Sequence, residues 1–172
     1  DAQRSPEDDG GPDGYDCISG RGNAKNILTV GDVADVPSYQ GPADVQVSAK
    51  SSFGPTDDGR IKPDLVANGT TVLSCGPDST NHYFQQSGTS NATGAVTGAL
   101  LLLRQHYLAT QGQPPTAATL KTLLLHTTRE AGDHPGPDYR FGWGLLDAQA
   151  AARHISRDTL LPHSMIEDTL AA

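Results

Sequence analysis

Apolar residues fall in short uninterrupted runs in the first half of the chain and switch to helical spacing in the second. The run Asn26-Ile27-Leu28-Thr29-Val30-Gly31 reads as a strand closed by glycine, apolar enough for a parallel strand covered on both faces. Asp64-Leu65-Val66-Ala67 reads as a second strand of that kind. Thr70 to Ser74 and Tyr83 to Gln85 flank the turn-rich Gly76-Pro77-Asp78 and predict a hairpin. From Thr89 to Tyr107 the period changes: Val96, Leu100, Leu103 and Tyr107 share one helical face. Ala92, Gly94, Ala95, Gly98 and Ala99 leave the first half of that helix with almost no side-chain bulk, which predicts close packing on all sides. Gln111-Gly112-Gln113-Pro114-Pro115 ends it, and Thr116 can cap a second helix, Thr116 to Glu130, with Leu120, Leu123, Leu124 and Thr127 on one face. Ala131-Gly132 stops that helix, and a Gly/Pro loop over 132–144 leads into a third, Leu146 to His154. Strands alternating with helices predict an α/β fold with a doubly wound, mainly parallel sheet flanked by helices.

The two ends do not share this pattern. Residues 1–23 are acidic and rich in Gly and Pro, as in Ser5-Pro6-Glu7-Asp8-Asp9-Gly10-Gly11, and read as a long surface loop. A structureless loop of this length at the start of a domain carries the expectation that part of the domain precedes it. The pattern fades after Ser156, so residues 1–155 read as one domain, and 156–172 as a tail or the start of another, with Ile166-Glu167-Asp168-Thr169 as its first strand. In composition, 19 Gly and 12 Pro among 172 residues, 35% of them hydrophobic, fit a loop-rich α/β protein better than a helical bundle. A net charge of -8 without clustered Lys and Arg argues against nucleic acid as a partner. The longest apolar run, Ala99 to Leu103, is too short to span a bilayer, so no membrane association is expected, and Asp1-Ala2-Gln3-Arg4-Ser5-Pro6 has no signal-peptide pattern. Cys17 and Cys75 match neither a zinc spacing nor a redox motif; they either pair or are buried thiols.

Candidate chemistry concentrates in Ser87-Gly88-Thr89-Ser90-Asn91-Ala92-Thr93-Gly94, a small-residue turn running straight into the first helix. A serine there presents its hydroxyl where backbone N–H groups lack intrahelical acceptors and the positive end of the helix dipole lies, so negative charge developing on a bound acyl group is stabilised. Glycine ahead of it lets a substrate backbone come close. The same residues also fit a plain helix cap.

Gly88-Thr89-Ser90 followed by Ala92 and a small-residue helix resembles the nucleophile motif of the subtilisin-like serine peptidases, G-T-S-M-A. Ser52-Phe53-Gly54-Pro55, Lys62-Pro63-Asp64-Leu65-Val66-Ala67 and Gly142-Trp143-Gly144-Leu145-Leu146-Asp147-Ala148 are similar, in the same order, to that family's S-F-S-x-x-G, K-P-D-(V/L)-x-A-P-G and G-x-G-x-(V/L)-(N/D)-A segments. Asn26 to Val30 resembles the strand after the family's oxyanion-hole asparagine. The resemblance covers roughly Tyr15 to Ala151 and identifies the chain as the C-terminal part of a subtilisin-like catalytic domain. It implies peptide-bond hydrolysis through an acyl-enzyme on Ser90, with Gly88 and Thr89 beside the substrate, Gly14 and Tyr15 at the primary specificity pocket, and an exported protein of the secreted or cell-envelope kind.

Departures from the family pattern are as informative. Its Met after the serine is Asn91, its helix-start Pro is Gly94, and the Pro of A-P-G is Asn68. Its acid motif D-(S/T)-G, base motif H-G-T and oxyanion-hole A-A-G-N do not occur, although a serine hydroxyl needs a histidine and a carboxylate to become a nucleophile. The expected partners are therefore a polypeptide substrate and an N-terminal part of the same domain, without which a large apolar sheet edge is exposed and the segment is inert. A catalytically dead binding or structural module is the alternative; a G-x-S-x-G hydrolase is disfavoured because Ser90 is followed by Asn91-Ala92. His82, His106, His126, His134, His154 and His163 read as surface or structural residues rather than a base. The chemistry requires no cofactor and no metal; calcium is a candidate structural ion only, since Asp8, Asp9, Asp13 and Asp16 lack an EF-hand spacing and read as a solvated acidic loop.

Overall fold

The computed structural model describes residues 17, 18, 20–160, 165 and 166, folded into an α/β arrangement. Strand β1 (Val30–Val33) pairs in parallel with β2 (Leu65–Asn68), in the register Val30↔Leu65 to Val33↔Asn68. Leu145 continues the parallel order on the far side of β2 through a bridge to Val66. The predicted hairpin forms as β3 (Val72–Cys75) and β4 (Tyr83–Gln86), a separate antiparallel pair. Three helices follow: α1 (Thr89–Gln111), α2 (Ala117–His126) and α3 (Ala148–Asp158).

The first strand begins later than its hydrophobic run suggests. Thr29 donates its amide to the Asp64 carboxylate at 2.6 Å and accepts the Asp64 amide at 2.8 Å, so a side chain from the neighbouring segment ends the ladder and Ile27 is left 42% exposed. Gly31, expected to close the strand, lies inside it. A Cβ there would meet Ser51 Oγ at 2.9 Å, Val66 Cγ1 at 3.0 Å and Pro63 Cγ at 3.1 Å, so the glycine serves close approach rather than a stop.

Apolar side chains pack on both faces of the β1–β2 pair. On one face Leu65, Ala67, Ala92, Val96, Leu103, Tyr107, Leu124 and Ile155 bring α1, α2 and α3 together. On the other, Val33, Val45, Val66, Ala131 and Phe141 form a smaller cluster beneath loops. Helix α1 corrects an expectation: it is buried along one stripe only, among the described residues. Gly94, Ala95 and Gly98 are exposed, a Cβ at Gly94 or Gly98 meets nothing within 4 Å, and Leu101 and Leu102 are 65% and 69% exposed. Exposed apolar side chains thus include Leu101, Leu102 and Leu108 on this helix, beside Leu73 and Tyr83 on the hairpin strands.

Helix ends follow local chemistry. α1 runs to Gly112, whose φ of 76° lets the backbone turn left-handed. Thr116 caps α2 by accepting the Thr119 amide at 3.1 Å. α2 stops at His126, short of the expected Glu130, because Arg129 exchanges both backbone hydrogen bonds with Leu145 at 2.8 Å and leaves the helix for the sheet. Asp147 caps α3 and pairs with Arg129 at 2.6 Å; burial works to raise its pKa, but the Ala150 amide and the Arg129 guanidinium outweigh it and hold the carboxyl below the usual carboxylate range. α3 continues to Asp158, past the expected domain boundary, and Met165 returns to donate its amide to Asp158 at 2.8 Å. The strand expected at Ile166 to Thr169 lies largely outside the described residues. Among those described, no helix is long and apolar enough to cross a membrane.

Cys17 and Cys75 are not joined. Cys17 is buried, its sulfur accepting the Phe53 amide at 3.2 Å, while Cys75 is exposed on β3. Iodoacetamide is therefore expected to modify Cys75 in the native protein and Cys17 only after unfolding. Two blocked thiols in unreduced, denatured protein would show a bond instead.

Candidate active site

The turn carrying Ser90 sits beyond the C-terminal ends of β1 and β2, where parallel α/β sheets place their sites. Gly88 is the buried N-cap of α1, and its carbonyl accepts the Asn91 amide at 3.0 Å and the Ala92 amide at 3.4 Å. Ser90 is thus in the first helical turn, where amides precede the first intrahelical acceptor, and it is exposed while Thr89 is half-buried. The arrangement offers a hydroxyl next to a backbone donor at the positive end of a long helix.

A clamp from the sheet holds this turn. The Gly69 amide donates to Val33 O at 3.2 Å, and the Gly69 carbonyl accepts the Gly88 amide at 2.9 Å, linking β1 to the helix cap through one residue. The Thr71 amide donates to Ser87 Oγ at 2.8 Å and Lys50 Nζ to the Ser87 carbonyl at 3.2 Å. Thr71 adopts φ 58°, a left-handed conformation that costs a β-branched residue about 1–3 kcal/mol, held here by the contacts on either side. Gly69 has no room for a side chain: a Cβ would meet Gly88 O at 2.6 Å, Asp32 Oδ1 at 2.7 Å and Ala92 N at 2.9 Å. Gly69→Ala is accordingly expected to lower stability by about 1–3 kcal/mol. Unchanged thermal unfolding in that variant would show that the turn is not held through Gly69.

Asn68, where the resembled motif has proline, is put to use: its Oδ1 accepts the Thr70 amide at 3.1 Å and its Nδ2 reaches Asp35 at 3.4 Å. Gly94 is exposed, and a Cβ there would meet nothing within 4 Å among the described residues. Of the sequence-derived site residues, Gly88, Thr89 and Ser90 lie together; Gly14 and Tyr15, like the acidic run Asp8 to Asp16, lie outside the described residues. Among the described residues no group of three or more His, Cys, Asp or Glu is placed to hold a metal.

Four of the five described histidines contact other groups. His82 Nδ1 lies 3.0 Å from Asp78 and its ring stacks on Phe84 within the hairpin loop. His106 hydrogen-bonds Ser156 at 2.8 Å between α1 and α3, and His126 meets His154 edge-on at 5.3 Å between α2 and α3. His134 lines a cleft of about 590 Å³ with Val45 and Phe141, and His163 is outside the described residues. Sequence reasoning missed the clamp. A lone carboxylate, Asp32, inside an otherwise apolar buried strand was the readable signal for part of it.

The profile of the Subtilase family matches residues 12–144. Serine protease AprX of Bacillus subtilis (strain 168) is 34% identical over 151 residues, covering 81% of this chain and 32% of AprX. The Serine protease/ABC transporter B family protein tagD of Dictyostelium discoideum is 39% identical over 92 residues, 45% of this chain and 5% of that protein. Among solved structures, the prenylagaramide maturation protease PagA superposes with a TM-score of 0.65 at 26% identity, over 83% of this chain and 47% of that one. The CspB protease of Clostridium perfringens gives a TM-score of 0.67 at 23% identity, over 83% and 29%, a likeness of fold alone. The chain spans less than half the length of each of these proteins.

Proposed function

Because this chain belongs to the subtilase family, we propose that it carries the nucleophile of a serine endopeptidase, Ser90, and that it is inactive without the remainder of the peptidase domain. The observation that supports this most is the exposed Ser90 in the first turn of α1, on a cap tied back to β1 through Gly69. In the proposed reaction Ser90 Oγ attacks the carbonyl carbon of a bound peptide while its proton passes to a histidine outside this segment. The Ser90 amide donates to the oxyanion, and an asparagine outside the segment is the second donor. Collapse expels the amine, which takes the proton from that histidine, and water then hydrolyses the ester. Gly88 and Thr89 border the substrate backbone, and Gly14 and Tyr15 the primary specificity pocket. No cofactor takes part; calcium, where bound, is structural. Residues 1–155 are the C-terminal part of the peptidase domain, with 156–172 as a tail or the start of another, and the protein is exported.

The uncovered face of α1, with Leu101 and Leu102 exposed, supports a partner formed by the rest of the domain. A second reading, a catalytically dead binding or structural module, is favoured by the engagement of His82, His106, His126 and His154 with groups other than Ser90. A fluorophosphonate probe separates the two. Labelling of one serine in the full-length protein, mapped to Ser90 by peptide mass, with none in residues 1–172 alone, is the expected result. Full-length protein that stays unlabelled and hydrolyses no peptide would overturn the enzyme reading in favour of the module.

A further inference from the structure

Asp32 occupies the middle of β1 with 0% of its surface exposed, a position where a carboxylate is costly unless its oxygens find partners. Its backbone is satisfied: the amide donates to Ser51 Oγ at 3.0 Å, and the carbonyl accepts the Ser48 amide at 2.9 Å. Its side chain has one partner. Oδ1 accepts the Thr70 hydroxyl at 3.1 Å, while Oδ2, also buried, has no hydrogen-bond partner among the described residues. Strand packing alone does not account for a polar side chain here, since Val33 on the same strand is apolar and equally enclosed.

The location of that one hydrogen bond is informative. Asp32 Oδ1, Gly88 O and Ala92 N all lie within 3 Å of the point a Gly69 side chain would occupy, so the carboxylate lies directly beneath the cap and first turn of α1. Thr70 belongs to the segment 68–71 that clamps the nucleophile turn at two places, through the Gly69 carbonyl to the Gly88 amide and through the Thr71 amide to Ser87 Oγ. Asp32 pins that segment from below at Thr70, Asn68 Oδ1 holds the Thr70 amide from the side, and Thr71 is kept at φ 58° between these restraints. The chain of contacts runs from the core strand through Thr70 to both residues preceding Thr89 and Ser90.

We propose that the Asp32–Thr70 hydrogen bond positions the nucleophile: Asp32 does not touch substrate, but by fixing the 68–71 segment it sets the height and angle at which the Ser87–Ser90 turn presents Ser90 Oγ. The proposal rests on Ser90 being the nucleophile of an active peptidase. It separates a positioning role from a merely structural one because the two predict opposite results for the pair of partners removed together. Replacing both members of a buried hydrogen bond by apolar groups of similar shape is close to neutral for stability, whereas the clamp is lost altogether.

The test uses full-length protein and four variants: Thr70→Val, Thr70→Ser, Asp32→Asn and the double variant Asp32→Val/Thr70→Val. The double variant is expected to unfold at or above the wild-type temperature and yet to lose roughly 10- to 100-fold in kcat and in the rate of fluorophosphonate labelling at Ser90, with KM for a peptide substrate nearly unchanged. Thr70→Ser, which keeps the hydroxyl, and Asp32→Asn, which keeps an acceptor oxygen, are expected to label close to the wild-type rate. Thr70→Val alone leaves the carboxylate without a partner and is expected to be both less stable and slower. A folded double variant that labels and turns over at the wild-type rate would overturn the positioning role while leaving Ser90 as nucleophile. Wild-type protein that labels at a residue other than Ser90, or nowhere, would remove the underlying reading and this role with it.

Discussion

If Ser90 is the nucleophile as proposed, Ser90→Ala is expected to remove fluorophosphonate labelling and to reduce peptide hydrolysis by the full-length protein to near background, while its thermal unfolding stays within a degree or two of wild type. The loss is expected to be on the order of a million-fold, since removing the nucleophile alone costs about as much as removing nucleophile, base and carboxylate together. The fold is expected to tolerate the change because Ser90 is exposed, lies in the first turn, and is not the residue that caps α1. Alanine at that position has a higher helix propensity than serine. Retention of hydrolysis by a purified Ser90→Ala protein would place the nucleophile elsewhere.

Asp64→Ala destabilises the protein by about 3–5 kcal/mol, the range seen when one partner of a buried ion pair is removed. Asp64 is where three positive or donor groups meet: Lys62 Nζ at 2.5 Å, Lys121 Nζ at 2.9 Å and the Thr29 amide at 2.6 Å, with the Lys62 and Asp64 side chains only 3% and 8% exposed. Burial pushes the Lys62 pKa down from the ordinary lysine value, and the Asp64 hydrogen bond and charge pull it partly back. Without Asp64 the buried ammonium loses that compensation, and the entry to β1 loses the acceptor that ends its ladder at Thr29.

The sign of the pH effect follows from this. In the variant the folded-state pKa of Lys62 falls further below its unfolded value, so between the two the unfolded chain binds more protons and stability rises with pH. The deficit against wild type is therefore expected to narrow under alkaline conditions, as read from urea midpoints across pH. Adding Lys62→Met to Asp64→Ala is expected to restore a large share of the loss, since the more deeply buried of the two ammonium groups that faced Asp64 is then gone. A deficit under 1 kcal/mol in Asp64→Ala would show that the triad is not what secures the strand entry.

The regions that the chain's pattern revealed are those governed by local rules. The hairpin over Val72–Cys75 and Tyr83–Gln86, the start of α1 at Thr89 and the cap of α2 at Thr116 depend on turn residues, small residues and cap chemistry within a few positions, and each was legible. The place of Ser90 in the first turn of α1 was legible for the same reason, since a glycine and small residues at the head of a helix mark its start. Contacts between distant segments decided the rest. The start of β1 moved to Val30 because Asp64 reaches across to Thr29, and α2 stopped at His126 because Arg129 found Leu145. Gly31 looked like a stop and proved to be a close approach to Ser51, Pro63 and Val66.

The support of Ser90 was the least legible feature. No local pattern singled out Gly69 or Asp32, because their meaning comes from Gly88 and Ala92 being folded against them. Sequence period determines which residues prefer the interior, an energetic preference each residue carries alone. Which backbone atoms then come within 3 Å of one another is set only when the helix docks on the sheet, because that depends on the joint shape of segments that no local pattern relates.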